Sequence, residues 1–164
     1  MREAQRGSAD ALERLFRAHW PRAYRAALLV VGDAAAAEDI AQESFLAAVR
    51  SLDRFDRRRP FGPWLHRIVV NRAIDFARAR RLRREIDLES VAEPAASERE
   101  LESRAEEIAG ALSSLGPEHR AVIVLRYLLE YTPGEIAELL GLPRGTVNSR
   151  LRRGLDRLEE GLER

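Results

Sequence analysis

Thr132-Pro-Gly-Glu-Ile-Ala-Glu-Leu-Leu-Gly-Leu-Pro-Arg-Gly-Thr-Val-Asn-Ser-Arg-Leu-Arg-Arg-Gly-Leu-Asp-Arg157 is the stretch that decides the fold. Thr132 is a good helix N-cap, Pro133 suits the first helical position, and Glu135 completes a capping box. Ile136, Ala137, Leu139 and Leu140 give this helix an apolar face, and Gly141 can end it because glycine tolerates the left-handed conformation. Leu142-Pro143 opens a second helix. In it Val147, Leu151, Leu155 and Leu158 repeat at helical spacing toward a core. That rotation leaves Arg144, Asn148, Ser149, Arg152 and Arg153 outward. Two short helices with a tight turn and a basic outer face form a helix-turn-helix, the device that lays one helix in the major groove of DNA. Arginine pairs bidentately with guanine and asparagine with adenine, each good pair discriminating by about 1–3 kcal/mol. The plainer reading of the same pattern is an amphipathic hairpin with a solvated arginine face.

Outward from this motif the chain reads as helical throughout. Its 164 residues suffice for one domain or two small ones. All 28 basic residues are arginine and the net charge is +1. Arginine as such therefore says little, and its placement says more. There are no cysteines, so disulfides and thiolate metal sites are excluded. The longest apolar run, Ala26–Val31, is far short of the roughly 18 residues of a membrane span. Membrane insertion is not expected, nor is a metal or cofactor.

A first helix is expected over about Ala9 to Val31. Its buried stripe is Leu12, Leu15, Phe16, Tyr24, Leu28 and Val31; Gly32 stops it and Asp33 caps the next. A second helix, about Ala34 to Leu52, turns Ala37, Ile40, Ala41, Phe45, Ala48, Val49 and Leu52 inward. Its opposite face carries Asp39, Gln42, Glu43, Leu46 and Arg50 as one continuous stripe. On periodicity alone this is a solvated face with one leucine in it.

The charges are segregated beyond this point. In residues 54–84 eleven arginines stand against Asp56 and Asp75, leaving +9. Phe55, Phe61, Trp64 and Phe76 are interleaved with them. Such a block suits phosphates and, where aromatics are free, unpaired bases. Phe61, Trp64, Leu65, Ile68 and Phe76 also fit a buried helical stripe, so the loop 55–60 is the better candidate for opened bases. In residues 85–107 nine acids stand against Arg99 and Arg104, leaving −7. This reads as a flexible acidic linker, with a short helix resuming near Leu101. Gly116-Pro117 opens a helix whose run Ala121–Leu125, followed by Tyr127, Leu128 and Leu129, is apolar nearly all round and marks the centre of a second core. The fold expected is all-α: two small helical domains, 1–84 and 108–164, joined by the acidic linker 85–107, the second domain carrying the helix-turn-helix.

Several motifs in order resemble a bacterial RNA polymerase sigma factor of the extracytoplasmic-function type. They are Ala37-Glu-Asp-Ile-Ala-Gln-Glu-Ser-Phe45; Phe61-Gly-Pro-Trp-Leu-His-Arg-Ile-Val-Val-Asn71 with Asp75 and the arginines after it; Leu115-Gly-Pro-Glu-His-Arg120 with Leu125-Arg-Tyr127; and Glu135 through Arg150. The resemblance spans about residues 10–160. It implies a promoter-specificity factor that is cytoplasmic and not an enzyme. Its partners would be core RNA polymerase (the β′ clamp helices and the β flap), promoter DNA and an anti-sigma factor. The stripe Asp39, Gln42, Glu43, Leu46 and Arg50 would dock on polymerase. Asp56, Arg57, Arg58, Arg59, Phe61, Arg67, Asn71 and Arg78 would engage the minus-ten element. Asn148, Ser149, Arg152 and Arg153 would face bases of the minus-thirty-five element beside Arg144, with Thr146 and Arg150 on phosphates. Position 148 is often basic in that family and position 152 often apolar or aromatic. Asn148 and Arg152 therefore put the promoter sequence outside what relatives imply.

Two other readings stay open on residues alone. A stand-alone helix-turn-helix regulator would explain residues 132–157 but leaves the basic-aromatic block without a purpose. An enzyme would need a catalytic set, and His19, His66 and His119 are scattered with no nucleophile–base arrangement in the pattern.

Overall fold

The computed structural model describes residues 1–86, 108 and 110–162. Among them every regular element is helical. The acidic stretch expected as a linker lies outside the described residues, apart from its first two, which continue the preceding helix. Only the end of the short helix expected from Leu101 is described: residues 110–113 are helical.

The first lobe is built from α1 (Arg2–Gln5), α2 (Ala9–Val31), α3 (Ala34–Arg50), a 3-10 turn (Leu52–Arg54) and α4 (Phe61–Ile86). Ser8 caps α2, its hydroxyl accepting from the Ala11 amide at 3.4 Å. Gly32 ends α2 at φ 68°, a left-handed conformation costly for other residues. Asp33 then serves two helices. One carboxylate oxygen accepts from the Ala36 amide at 2.9 Å and the other from Arg80 of α4 at 3.3 Å. Ala23, Ala26, Ala27, Ala37, Ala41, Ala48 and Ala73 are fully buried, so α2, α3 and α4 approach closely. At one end an aromatic cluster fills the space: Phe16 stacks on Trp20, Trp20 on Tyr24, and Phe45, Phe55, Phe61 and Trp64 close around them.

Three expected core residues depart from the reading. Phe16 (38 % exposed), Val49 and Phe76 lie at the edges of their helical stripes, where neighbouring helices no longer cover them.

The second lobe contains α5 (Pro117–Ile123), which widens into a π turn (Val124–Leu128), then α6 (Pro133–Leu140) and α7 (Arg144–Leu162). Ala121–Leu125 is buried on every side, as its composition suggests, and shares a core with Leu129, Ile136, Val147 and Leu151, with Leu128 packed against it. Tyr127, expected in the core, is instead exposed, because the turn carries it to the outer side. Gly154 of α7 lies so close to α5 that a Cβ there would sit 2.7 Å from Ile123 Cδ1. The π turn ends at Glu130, whose φ is +61°. The Tyr131 amide bonds back to the Leu125 carbonyl at 3.0 Å. This helix end is one residue wider than a Schellman motif, as the π turn requires, with glutamate in the left-handed place usually given to glycine.

The lobes touch. Arg120 donates to the Leu115 and Ser113 carbonyls of its own lobe at 2.9 and 3.0 Å and reaches across to the Val30 carbonyl of α2 at 3.0 Å. Arg78 of α4 donates to Glu118 at 2.6 Å, and His66 Nδ1 lies 2.7 Å from the Tyr131 hydroxyl.

Candidate nucleic-acid interface

The helix-turn-helix is α6 and α7. Thr132 and Glu135 form the full capping box. The Thr132 amide donates to the Glu135 carboxylate at 2.8 Å, the Thr132 hydroxyl donates to the same oxygen at 2.7 Å, and the Glu135 amide returns to that hydroxyl at 3.3 Å. These bonds hold the Glu135 carboxyl below the usual carboxylate range. Gly141 turns the chain at φ 65°. Val147, Leu151 and Gly154 then fix the rotation of α7 by facing the core. In consequence Arg144, Asn148, Arg152 and Arg153 are exposed, while Thr146, Ser149 and Arg150 are half-buried at the flank. The candidate duplex-reading side chains thus come together on one face of one helix. Burial works to raise the Glu118 carboxyl, but its own backbone amide, Arg78 and then Arg150 leave it lowered. His119 is lowered by burial first, then by Arg157 and Arg150.

The second basic surface is a loop and a helix. Residues 56–60 project between Phe55 and Phe61, whose rings meet edge to face at 5.8 Å. Asp56 organises the loop. Its carboxylate accepts from the Arg58 side chain at 3.1 Å and from the Arg58 amide at 3.0 Å, and these bonds, the side-chain one first, lower its pKa. Arg57, Arg58 and Arg59 are left pointing into solvent. The base of the loop is tied from elsewhere, by Gln5 of α1 donating to the Leu52 and Phe55 carbonyls at 2.8 and 3.0 Å. Sequence reasoning missed Gln5, because nothing local marks a glutamine fifty residues upstream as a loop anchor. Along α4, Arg67, Asn71 and Arg78 follow at i, i+4 and i+11, so they share one face; Asn71 is half-buried and both arginines are exposed.

One expected contact residue is placed differently. Phe61 is 7 % exposed and packs against Phe45, Phe55 and Trp64. It sits at the first position of α4, where its ring closes the core beneath the loop. It supports the loop and presents no surface to a base.

The α3 stripe is a third surface. Asp39, Gln42, Glu43, Leu46 and Arg50 are all exposed, Leu46 by half. Glu43 is not solely a surface group, since Arg72 of α4 donates to it at 2.9 Å. Exposed Val49 and Phe16 extend the apolar part beyond Leu46. Among the described residues no group of His, Cys, Asp and Glu is arranged to hold a metal ion. Among them, too, no helix is long and apolar enough to cross a membrane.

Comparison with known proteins gives a consistent answer. The family model for Sigma-70 region 2 matches residues 15–83, and that for Sigma-70, region 4 matches residues 105–158. The chain is 30 % identical over 179 residues to the ECF RNA polymerase sigma factor SigW of Bacillus subtilis (strain 168), covering 99 % of this chain and 94 % of SigW. It is 35 % identical over 160 residues to the RNA polymerase sigma factor CarQ of Myxococcus xanthus, covering 94 % and 90 %. Among solved structures, CnrH in complex with the cytosolic domain of CnrY superposes with a TM-score of 0.75 at 28 % identity, over 98 % of this chain and 93 % of CnrH.

Proposed function

Because the chain belongs to the extracytoplasmic-function (ECF) RNA polymerase sigma factors, we propose that its three exposed surfaces divide the work of promoter-specific initiation among them. A sigma factor binds core RNA polymerase and directs it to a specific set of promoters. Its role is regulatory, and no residue here is assigned to catalysis. The protein acts where polymerase and chromosome are, in the cytoplasm.

In this reading residues 1–84 form the lobe that binds polymerase and the minus-ten element. Asp39, Gln42, Glu43, Leu46 and Arg50 meet the β′ clamp helices. An exposed leucine ringed by charged and amide groups suits such an interface, with an apolar anchor and a polar rim. Arg57, Arg58 and Arg59 on the Asp56-ordered loop follow the phosphates of the strand that opens, and Arg67, Asn71 and Arg78 continue the track along α4. The second lobe, residues 108–164, reads the minus-thirty-five element as duplex and meets the β flap. Arg144, Asn148, Ser149, Arg152 and Arg153 address base edges, while Thr146 and Arg150 hold phosphates. We include an anti-sigma factor among the partners, in keeping with the family, and the similar CnrH is solved in complex with another protein, the cytosolic domain of CnrY.

The observation that carries this reading is the coexistence of a basic loop-and-helix track in one lobe with a helix-turn-helix in the other. A stand-alone regulator needs only the second. Run-off transcription with purified core polymerase and a promoter library tests it. Transcription from a discrete promoter set only when the chain is added is the expected result. Tight, sequence-specific binding of duplex DNA by the chain alone, with no effect on polymerase, would return the protein to the stand-alone class.

A further inference from the structure

Residues 56–59 form a turn that is stiff in itself. The Arg59 amide donates to the Asp56 carbonyl at 2.9 Å, and the Arg58 amide and side chain both donate to the Asp56 carboxylate. A stiff turn moves as a body, so the direction in which it presents Arg57, Arg58 and Arg59 is set where it is rooted. One root is Phe61, buried at the start of α4. The other is the 3-10 turn Leu52–Arg54 with Phe55, and its backbone is held by Gln5.

Gln5 fits that task by its chemistry. Its half-buried side-chain nitrogen carries two N–H groups and faces two carbonyls, those of Leu52 at 2.8 Å and Phe55 at 3.0 Å. A carboxylate in its place could only accept, and would leave both carbonyls opposed by another acceptor. The Leu52 carbonyl also takes the Phe55 amide at 3.2 Å, so Gln5 clamps a turn that is already closed and fixes the last backbone group before Asp56. The helix that delivers Gln5 has four residues and no stability of its own. It is docked by the burial of Ala4 and the packing of Met1 on the core. Gly7, at φ 84°, then turns the chain so that the Ser8 amide returns to the Glu3 carbonyl at 3.0 Å. The Glu3–Arg14 pair at 2.9 Å is exposed on both sides and adds little.

We propose that Gln5 is a positioning residue for the opened promoter strand: from α1 it fixes the root of the 56–60 loop, and through that root the aim of Arg57, Arg58 and Arg59. It touches the loop and not the strand. The role rests on the minus-ten reading of the loop, whereas the tie itself does not.

The full chain is tested with two changes. Gln5→Glu sets a carboxylate against the two carbonyls, and Gln5→Met keeps the length and removes the donors. Trypsin nicking after the exposed Arg57 and Arg58, read by mass spectrometry on the native chain, reports opening of the loop. It should rise about tenfold in both variants, in line with about fivefold for each net hydrogen bond lost. Nicking elsewhere and helicity by circular dichroism should stay as in the wild type. The second measurement uses the complex with core polymerase and a short fluorescent single strand carrying the minus-ten sequence recovered from the promoter library. Affinity for it should fall at least about threefold, because binding weakens in proportion to the population of the held loop. The preference for that strand over a base-changed one should narrow, and core-polymerase affinity should not change. Unchanged nicking would overturn the tie. Faster nicking with wild-type strand affinity and preference would reduce Gln5 to an anchor and overturn the positioning role. The triple change Arg57→Ala, Arg58→Ala and Arg59→Ala separates this proposal from the reading beneath it. Wild-type strand affinity in that variant removes the loop from the minus-ten reading, and the positioning role falls with it. Lost affinity there but not in the Gln5 variants leaves the reading standing and refutes the role of Gln5.

Discussion

His66 is the side chain whose protonation this fold most opposes, and its titration gives a quantitative test. Burial, together with the neighbouring His19 and Arg22 of α2, lowers it from 6.5 to about 4. The Tyr131 hydroxyl faces it from the second lobe, with Glu135 beyond. In the unfolded chain the ring returns to about 6.5. The folded state therefore takes up this proton at lower pH than the unfolded state does. The stability that the neutral ring contributes is fully present above pH 6.5 and is lost as the pH falls toward 4. Between pH 7 and pH 5 the unfolded chain gains about 0.7 proton here and the folded chain about 0.1. At about 1.4 kcal/mol per pH unit, the loss over that interval is about 2 kcal/mol. His19 and His119 are lowered as well, by burial first and by nearby arginines second, so they contribute in the same direction. Comparison with His66→Gln removes their share. Urea unfolding followed by circular dichroism should show the wild type losing about 2 kcal/mol more than the variant between pH 7 and pH 5. The Cε1 resonance of His66 should titrate with a midpoint near 4. Equal losses in the two proteins, or a midpoint near 6.5, would refute the reasoning.

Other substitutions separate the surfaces from the scaffold. Arg153→Ala should weaken promoter-specific initiation while leaving core-polymerase affinity unchanged, and Gln42→Ala with Leu46→Ala should do the opposite; pull-down and run-off assays on the same preparations decide between them. Leu125→Ala removes a fully buried side chain at the centre of the second lobe and should cost about 2–5 kcal/mol in urea unfolding, abolishing duplex recognition. Thr132→Ala dismantles the capping box and should cost about 1 kcal/mol, read as a lower Tm in calorimetry with the fold retained.

What could be read directly from the chain is whatever is encoded locally. Gly32 and Asp33 mark the α2–α3 corner, and Thr132, Glu135 and Gly141 bound α6, because caps and left-handed turns are chosen by the residues that make them. The outward arginines of α7 followed from the rotation set by Val147 and Leu151. What escaped was non-local. Periodicity puts Phe61 on a core stripe while the family resemblance puts it on a DNA surface, and the neighbouring Phe45 and Phe55 decide that it is buried. The π turn and the left-handed Glu130 carry no glycine to announce them. The ties from Gln5 to the loop base and from Tyr131 to His66 join residues roughly fifty or more positions apart. No window on the sequence contains both partners.

The aromatic cluster of the first lobe has a practical consequence. The chain holds two tryptophans, Trp20 and Trp64, and both lie in that cluster. Indole emission is therefore blind to the helix-turn-helix, while far-ultraviolet ellipticity sums over both lobes. Melting curves recorded by the two probes answer different questions about the same sample. If they coincide, the lobes unfold as a single cooperative unit; if the ellipticity changes before the emission, the second lobe is the less stable partner. By confining its two tryptophans to the first lobe, the protein comes with a built-in reporter of which half fails first.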